Sequence, residues 1–272
     1  MVSPQFVSPY GLILIRVSMA VILFWSFAFL FVKTEKIDRG DFLRLFLCAI
    51  FGTSCNMLLF FKGISLTTPT NCALIMTMTP ILVFIIAVLS RSEKVSRTKF
   101  IGLALAFVGS IWLFKTSLSH LETSRLLGDS LILINAVLYG IYIVIVKPLS
   151  TKYHPFTLFK WLFFIGFFVV LPFGYNEFQQ VSWNILPIIS YWHILYIGIG
   201  ATFLTYLFNV IALKNTSPSV VGAYIYLQPL LASIIGVSLG QDVFEIEKIG
   251  ITLLIIGGVY LVSRKQPYPK TK

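Results

Sequence analysis

The chain has 272 residues, 57% of them hydrophobic and only 11% charged, with a formal net charge of +11. An ordinary soluble domain carries roughly 25% charged residues, and at a mean hydropathy of +0.90 too few remain to coat a globule of this size. A cytosolic enzyme and a disordered chain are thereby excluded, and a polytopic membrane protein in a lipid bilayer is the class that remains.

A spanning helix needs about 20 apolar residues. Nine stretches qualify, at about 10–32, 43–62, 71–90, 99–115, 129–148, 156–175, 190–213, 219–240 and 249–263. The first follows no positively charged leader and is long, so it reads as a span and not as a cleaved signal. It carries Arg16, the one clearly intramembrane charge, two turns past Pro9. The fourth and ninth are the shortest, and their glycines (Gly102, Gly109, Gly250, Gly257, Gly258) suit close helix packing. Cys48, Cys55 and Cys72 lie in or beside apolar runs and form no disulfide framework. The three histidines show no metal-ligand spacing, and no catalytic motif, cofactor signature or Walker A pattern occurs. The aromatic residues are mostly Phe and suit lipid-facing surfaces.

Lys and Arg set the orientation. With the intervals alternating, those at 33–44, 91–99, 147–160, 214–218 and the tail from Arg264 hold sixteen of the 21 basic residues. They are the cytoplasmic side, and the basic balance needs no nucleic-acid partner.

The chain also repeats itself. TTPTNCALIMTMTPILVFIIAVLSRSE (67–93) aligns with TSPSVVGAYIYLQPLLASIIGVSLGQD (216–242), so that Pro69, Pro80, Glu93 and Gly109 match Pro218, Pro229, Asp242 and Gly258. Every pair is 149 residues apart. The matched spans run in opposite directions, as in inverted-repeat carriers whose halves rock around a site at the membrane midplane. The expected organisation is a first half at 1–125 with four spans, a second at 126–263 with five, and a cytoplasmic tail at 264–272. Pro155 is preceded by a complete helix, but its counterpart Pro9 by eight residues, so the first half is expected to be short of an opening helix of its own.

Polar residues inside spans mark the expected site, because they face the bundle interior. Thr202, Thr205, Tyr206 and Asn209 share one helix face by their spacing. Asn135, Tyr139 and Tyr142 form a second stripe, Tyr224 and Gln228 a third, and Thr53 and Asn56 lie on the second visible span. For each residue, plain interhelical hydrogen bonding is an equal alternative; as a set they favour a cavity for a neutral, zwitterionic or aromatic solute. Arg16 either attracts a substrate carboxylate or snorkels and caps carbonyls. Pro80 and Pro229 each free a carbonyl four residues back, and are either gating kinks or static bends. Glu93 and Asp242 are expected to make helix-end contacts or latches.

These pieces resemble the EamA-type families of the drug/metabolite transporter superfamily. The resemblance is carried by SPYGLILIR (8–16), GISLTTPTNCALIMTMTPIL (63–82), SEKVSRTKFIGLALAFVGSIWL (92–113), GDSLILINAVLYGIYIV (128–144), ALKNTSPSVVGAYIYLQPLLASIIGVSLGQD (212–242) and IGITLLIIGGVYL (249–261). It implies an all-α membrane protein of two inverted halves, ten helices in all, of which nine are visible. It also implies a permease or exporter moving a small organic metabolite, amino acid or drug across a bacterial-type inner membrane by alternating access, with an ion gradient as a candidate driving force. Two other readings stand beside it: a non-transporting or truncated membrane protein, and a membrane-embedded enzyme acting on lipid, for which the sequence supplies no His, Asp or Glu cluster.

Overall fold

A computed structural model describes residues 7–32, 35–113, 126–238 and 247–264. Among these residues nine helical rods follow one another and there is no strand. They are α1 (Pro9–Phe31), α2 (Arg39–Leu66), α3 (Pro69–Met76 and Thr79–Leu89), α4 (Arg97–Leu113), α5 (Leu126–Lys152), α6 (Pro155–Gln179), α7 (Ile188–Asn215), α8 (Pro218–Ala223, a 3-10 turn Tyr224–Tyr226, and Leu227–Ser238) and α9 (Glu247–Ser263). Six of them, α1, α2, α3, α5, α6 and α7, are long and apolar enough to cross a membrane. Each expected apolar run falls on one rod. The rods overrun those runs where polar flanks continue the helix, as at Arg39–Asp41 before Phe42.

Proline starts four of the rods. Pro9, Pro69, Pro155 and Pro218 all occupy the first turn, where a missing N–H costs nothing and the fixed φ suits a helix. Pro80 and Pro229 act differently. Each lies just beyond a break, at Thr77–Met78 in α3 and at the 3-10 turn of α8, because a proline ring denies the carbonyl four residues back its partner. The two breaks sit at matching places in the repeat.

A second irregularity also recurs. The backbone is π-helical over Ala49–Ser54 in α2 and over Tyr196–Leu204 in α7; adding the repeat offset to the first places it inside the second. Hydroxyls serve the loosened carbonyls: Thr53 and Ser54 donate to Ala49 O, Thr202 to Ile197 O and Thr205 to Gly200 O. The α2 π segment packs on α6, and the α7 segment packs on α1.

The rods pair across the halves, α1 against α6 and α4 against α9, while α5 lies on α2 and α3. Between helices in lipid there is little hydrophobic drive, so fit of surfaces decides. At the α4–α9 crossing the backbones meet: a Cβ on Gly102 would lie 2.7 Å from Gly258 O, and one on Gly258 would lie 2.5 Å from Gly102 O. Gly109 faces Ile255, but Gly250 and Gly257 face open space, so the expectation of close packing fails for those two. Their neighbouring positions on the helix, not their own, point at α4. Phe is likewise not confined to lipid-facing surfaces. Phe24, Phe159 and Phe163 are fully buried, and Phe24 lies 5.0, 5.4 and 4.5 Å from the rings of Phe159, Phe163 and Phe203. This aromatic cluster joins α1, α6 and α7, and each such pair adds about 0.5–1.5 kcal/mol to plain burial.

Polar contacts fasten both ends. At one end the Glu177 carboxylate of α6 accepts the Tyr10 and Gly11 N–H groups at 2.7 and 2.9 Å, supplying acceptors that the first turn of α1 otherwise lacks. Glu177→Ala is expected to destabilise the fold by about 1–3 kcal/mol, read as a lowered thermal midpoint of the purified protein. An unchanged midpoint would show that water serves those N–H groups equally well.

At the other end the basic intervals meet. Lys152 pairs with Asp38 and Asp41, and the Tyr153 hydroxyl donates to Asp41 and accepts from Asp38 N–H. The Lys147 ammonium donates to the carbonyls of Leu213, Lys214 and Thr216, closing the end of α7. Arg91, at φ 58°, turns the chain sharply after α3, and two residues on, Glu93 reaches α8. There it accepts from Ser219 N–H (2.8 Å), Ser219 Oγ (2.6 Å) and Lys99 Nζ (2.5 Å), while Lys99 also donates to Ser217 and Ser219. The intervals around 35–41, 91–99, 147–154 and 213–219 therefore share one end of the bundle, as the charge asymmetry requires. Glu93 is a latch between the halves; Asp242, its counterpart, lies outside the described residues.

Candidate functional site

The site is a cavity of about 240 Å3 at the meeting of α1, α2, α3, α5, α7 and α8. Both halves build it. The first half contributes Arg16, Asn56, Met57, Phe60, Phe61 and Met76, and the second Asn135, Tyr139, Tyr142, Ile143, Thr205, Tyr206, Asn209, Ile225 and Gln228. A second hollow, between α3 and α4, is lined by apolar side chains only, such as Phe84, Val88 and Phe107. It has nothing with which to orient a polar solute.

The floor of the cavity is held by side chains bonded to backbone. Asn56 Nδ2 donates to Asn135 O at 3.2 Å, and Asn135 Nδ2 returns a bond to Asn56 O at 2.7 Å. This reciprocal pair clamps α2 to α5 and fixes both amides. The Tyr206 hydroxyl reaches from α7 to Gly52 O at 2.8 Å. Gly52 is needed there because a Cβ would lie 2.2 Å from the Tyr142 ring. The rings of Phe159 and Phe163 meet Tyr206 edge-on at 5.7 and 5.1 Å and hold it upright.

Arg16 lies about 10 Å into α1 at the usual rise per residue. Its Nε donates to Thr202 Oγ1 at 3.0 Å, and its guanidinium sits 5.4 Å from the Phe61 ring centre. Thr202 is oriented in turn by its bond to Ile197 O. Arg16 lines the cavity, and its terminal guanidinium nitrogens meet no protein acceptor among the described residues. Among the described residues, no carboxylate lines the cavity.

Nine of the residues expected from sequence thus share one hollow: Arg16, Asn56, Asn135, Tyr139, Tyr142, Thr205, Tyr206, Asn209 and Gln228. Three others lie elsewhere. Thr53 is fully buried against Gly166 and spends its hydroxyl on Ala49 O. Thr202 is fully buried behind Arg16, because the π turn shifts it off the face that Thr205, Tyr206 and Asn209 share. Tyr224 is exposed on α8 and does not line the cavity. Pro80 and Pro229 lie outside the lining and act through the breaks beside them. The apolar wall of Met57, Phe60, Phe61, Met76, Ile143 and Ile225 is not marked in the sequence, because its residue types are those of any lipid-facing surface. Position was the available signal for two of these, since Phe60 and Ile143 stand one helical turn past Asn56 and Tyr139.

Comparison with known proteins agrees with this architecture. The model of the EamA-like transporter family matches residues 2–115 and 126–264. An uncharacterized transporter of Archaeoglobus fulgidus is 24% identical over 97% of the chain and 92% of its own length. WAT1-related protein At5g07050 of Arabidopsis thaliana is 25% identical over 95% of the chain and 74% of its own length. A protein of known crystal structure superposes with a TM-score of 0.76 at 15% identity, covering 97% of this chain and 92% of that one, and so shares the fold.

Proposed function

Because the chain belongs to the EamA-like transporter family of the drug/metabolite transporter superfamily, a family of multi-pass membrane transporters, we propose that it is a secondary carrier. Its cargo is a small organic solute, a metabolite, amino acid or drug, and it works by alternating access between two inverted halves, 1–125 and 126–263. The membrane is the inner (plasma) membrane of a bacterial-type cell. An ion gradient or the membrane potential supplies the energy.

One observation carries this reading: a single cavity takes its polar groups from both halves of the repeat. A site shared in this way changes shape whenever one half rocks against the other. The polar groups are few and fixed, and the rest of the wall is aromatic and aliphatic, which is the composition of a small-molecule pocket. The volume lies below the roughly 300–1,000 Å3 of drug-sized sites and favours metabolite-sized cargo. The breaks beside Pro80 and Pro229 lie on α3 and α8, both of which reach the cavity through Met76, Ile225 and Gln228, and so supply hinges at the site itself.

The test is flux. In proteoliposomes the protein should give saturable transport of a labelled solute. Asn209→Leu should lower that flux about tenfold, the loss of one hydrogen bond, with the inserted amount unchanged. Full flux in this variant would remove Asn209 from the site, and absence of saturable flux across a broad solute panel would overturn the carrier reading.

A further inference from the structure

We propose that the cavity is a binding site for a small organic monoanion, and that Arg16 anchors its carboxylate. The proposal rests on the carrier reading and names the class of its cargo.

Three features of the cavity carry it. First, Arg16 is a charge placed about 10 Å inside a spanning helix, where an unneutralised cation is costly. Guanidinium does not lose its proton at such a site, so a counter-anion that enters the cavity relieves the cost. Second, none comes from the described residues: among them no Asp or Glu lines the cavity, and Arg16 forms no ion pair. Third, the side chain is held with donors to spare. The bond from Nε to Thr202 and the contact with the Phe61 ring tether the group at two points and use one of five N–H donors. Both terminal nitrogens of this cavity-lining residue are left without a protein acceptor among the described residues, and together they can take a carboxylate through two parallel hydrogen bonds.

The other walls select the remainder of the ligand. Phe60, Phe61, Tyr139 and Tyr142 form an aromatic surface for a flat or apolar body, and the volume of about 240 Å3 limits that body to one ring or a short chain. The amides of Asn209 and Gln228 can each meet one polar substituent. A zwitterion is less well served than a monoanion, because its ammonium would enter the positive field of Arg16 with no carboxylate to receive it.

The charge balance also bears on transport. The empty cavity carries one positive charge, and the loaded cavity is neutral. Occluding the empty site means shielding a bare cation from water, whereas the loaded site meets no such barrier. Anion on the far side of the membrane therefore accelerates turnover, and exchange of anion for anion runs faster than net flux.

The experiment uses the full chain in lipid nanodiscs, with benzoate, phenylacetate, 3-phenylpropionate and hexanoate, each beside its uncharged primary amide. We expect at least one acid to bind about tenfold or more tightly than its amide, the difference of one charged hydrogen-bonding contact. Arg16→Gln should abolish that preference, and Arg16→Lys, which keeps the charge without the fork, should retain part of it. The Lys variant carries the comparison if the Gln variant fails to insert. Absence of acid preference throughout the panel, or a preference that survives Arg16→Gln, overturns the proposal. Proteoliposome flux separates it from the carrier reading: saturable flux of amides without preference for acids overturns the anion site alone. Acid-selective binding with no flux of any member overturns the carrier and leaves the anion site standing.

Discussion

Leucine in place of Gly258 should unfasten α9 from α4, while leucine at the adjacent Gly257 should be tolerated. The two positions are neighbours in the same helix, of the same residue type and in equally apolar sequence. They differ in what they face. A Cβ at 258 would lie 2.5 Å from Gly102 O and 2.7 Å from Ala106 N, both backbone atoms that cannot step aside. Nothing lies within 4 Å of a Cβ at 257. Overpacking of this kind costs about 1–3 kcal/mol where side chains can adjust, and more where backbone must move. Ile251, Ile255 and Val262 of α9 pack with Leu103, Ala106 and Tyr226, and a lateral shift of α9 would disturb that cluster as well. The check is a pair of thermal midpoints in the same detergent, with Gly258→Leu well below the parent and Gly257→Leu close to it. Equal midpoints for the two variants would show that α4 and α9 do not cross at Gly258.

Alanine at Glu93 should be the most damaging loss of a single polar group. Its side chain is only 5% exposed and serves Lys99 and both the N–H and hydroxyl of Ser219. Removing one member of a buried ion pair strands the other, at a cost of about 3–5 kcal/mol. The bonds join the loop after α3 to the start of α8, so the damage falls between the halves and at the basic end only. A lowered thermal midpoint should accompany faster labelling of an engineered cysteine in the cavity wall by a membrane-impermeant reagent applied from that end. Adding Lys99→Ala should cost little more, since the two groups act as one unit. Additive losses would mean that Glu93 and Lys99 stabilise separate contacts.

Much of this architecture was visible in the sequence, for physical reasons that can be named. Lipid forces every spanning backbone to satisfy itself within a helix, so each apolar run had to become a rod. The repeat offset located the two proline breaks, because proline has a single local effect whatever surrounds it. The polar stripe on α7 placed Thr205, Tyr206 and Asn209 together, because a polar group in lipid must turn inward. The failures have equally particular causes. Thr202 left the stripe because the backbone is π-helical over Tyr196–Leu204, and no residue type there announces the extra residue per turn. Gly257 and Gly258 look alike in the sequence because a glycine reveals that space is available, not in which direction. Phe60 and Phe61 joined the cavity wall although nothing in their chemistry distinguishes them from Phe29, which is 87% exposed.

The paired π turns also speak to ancestry. A π turn is rare and weakly bonded, and two of them, in α2 and α7, fall on the same register of a duplicated chain. Independent acquisition would have to strike one position twice. The simpler history is that a single ancestral half already carried the distortion, and that its duplication copied the defect along with the helices. The bulge is then older than the two-part molecule, and a single-half relative, wherever one survives as an assembling pair, should carry it as well.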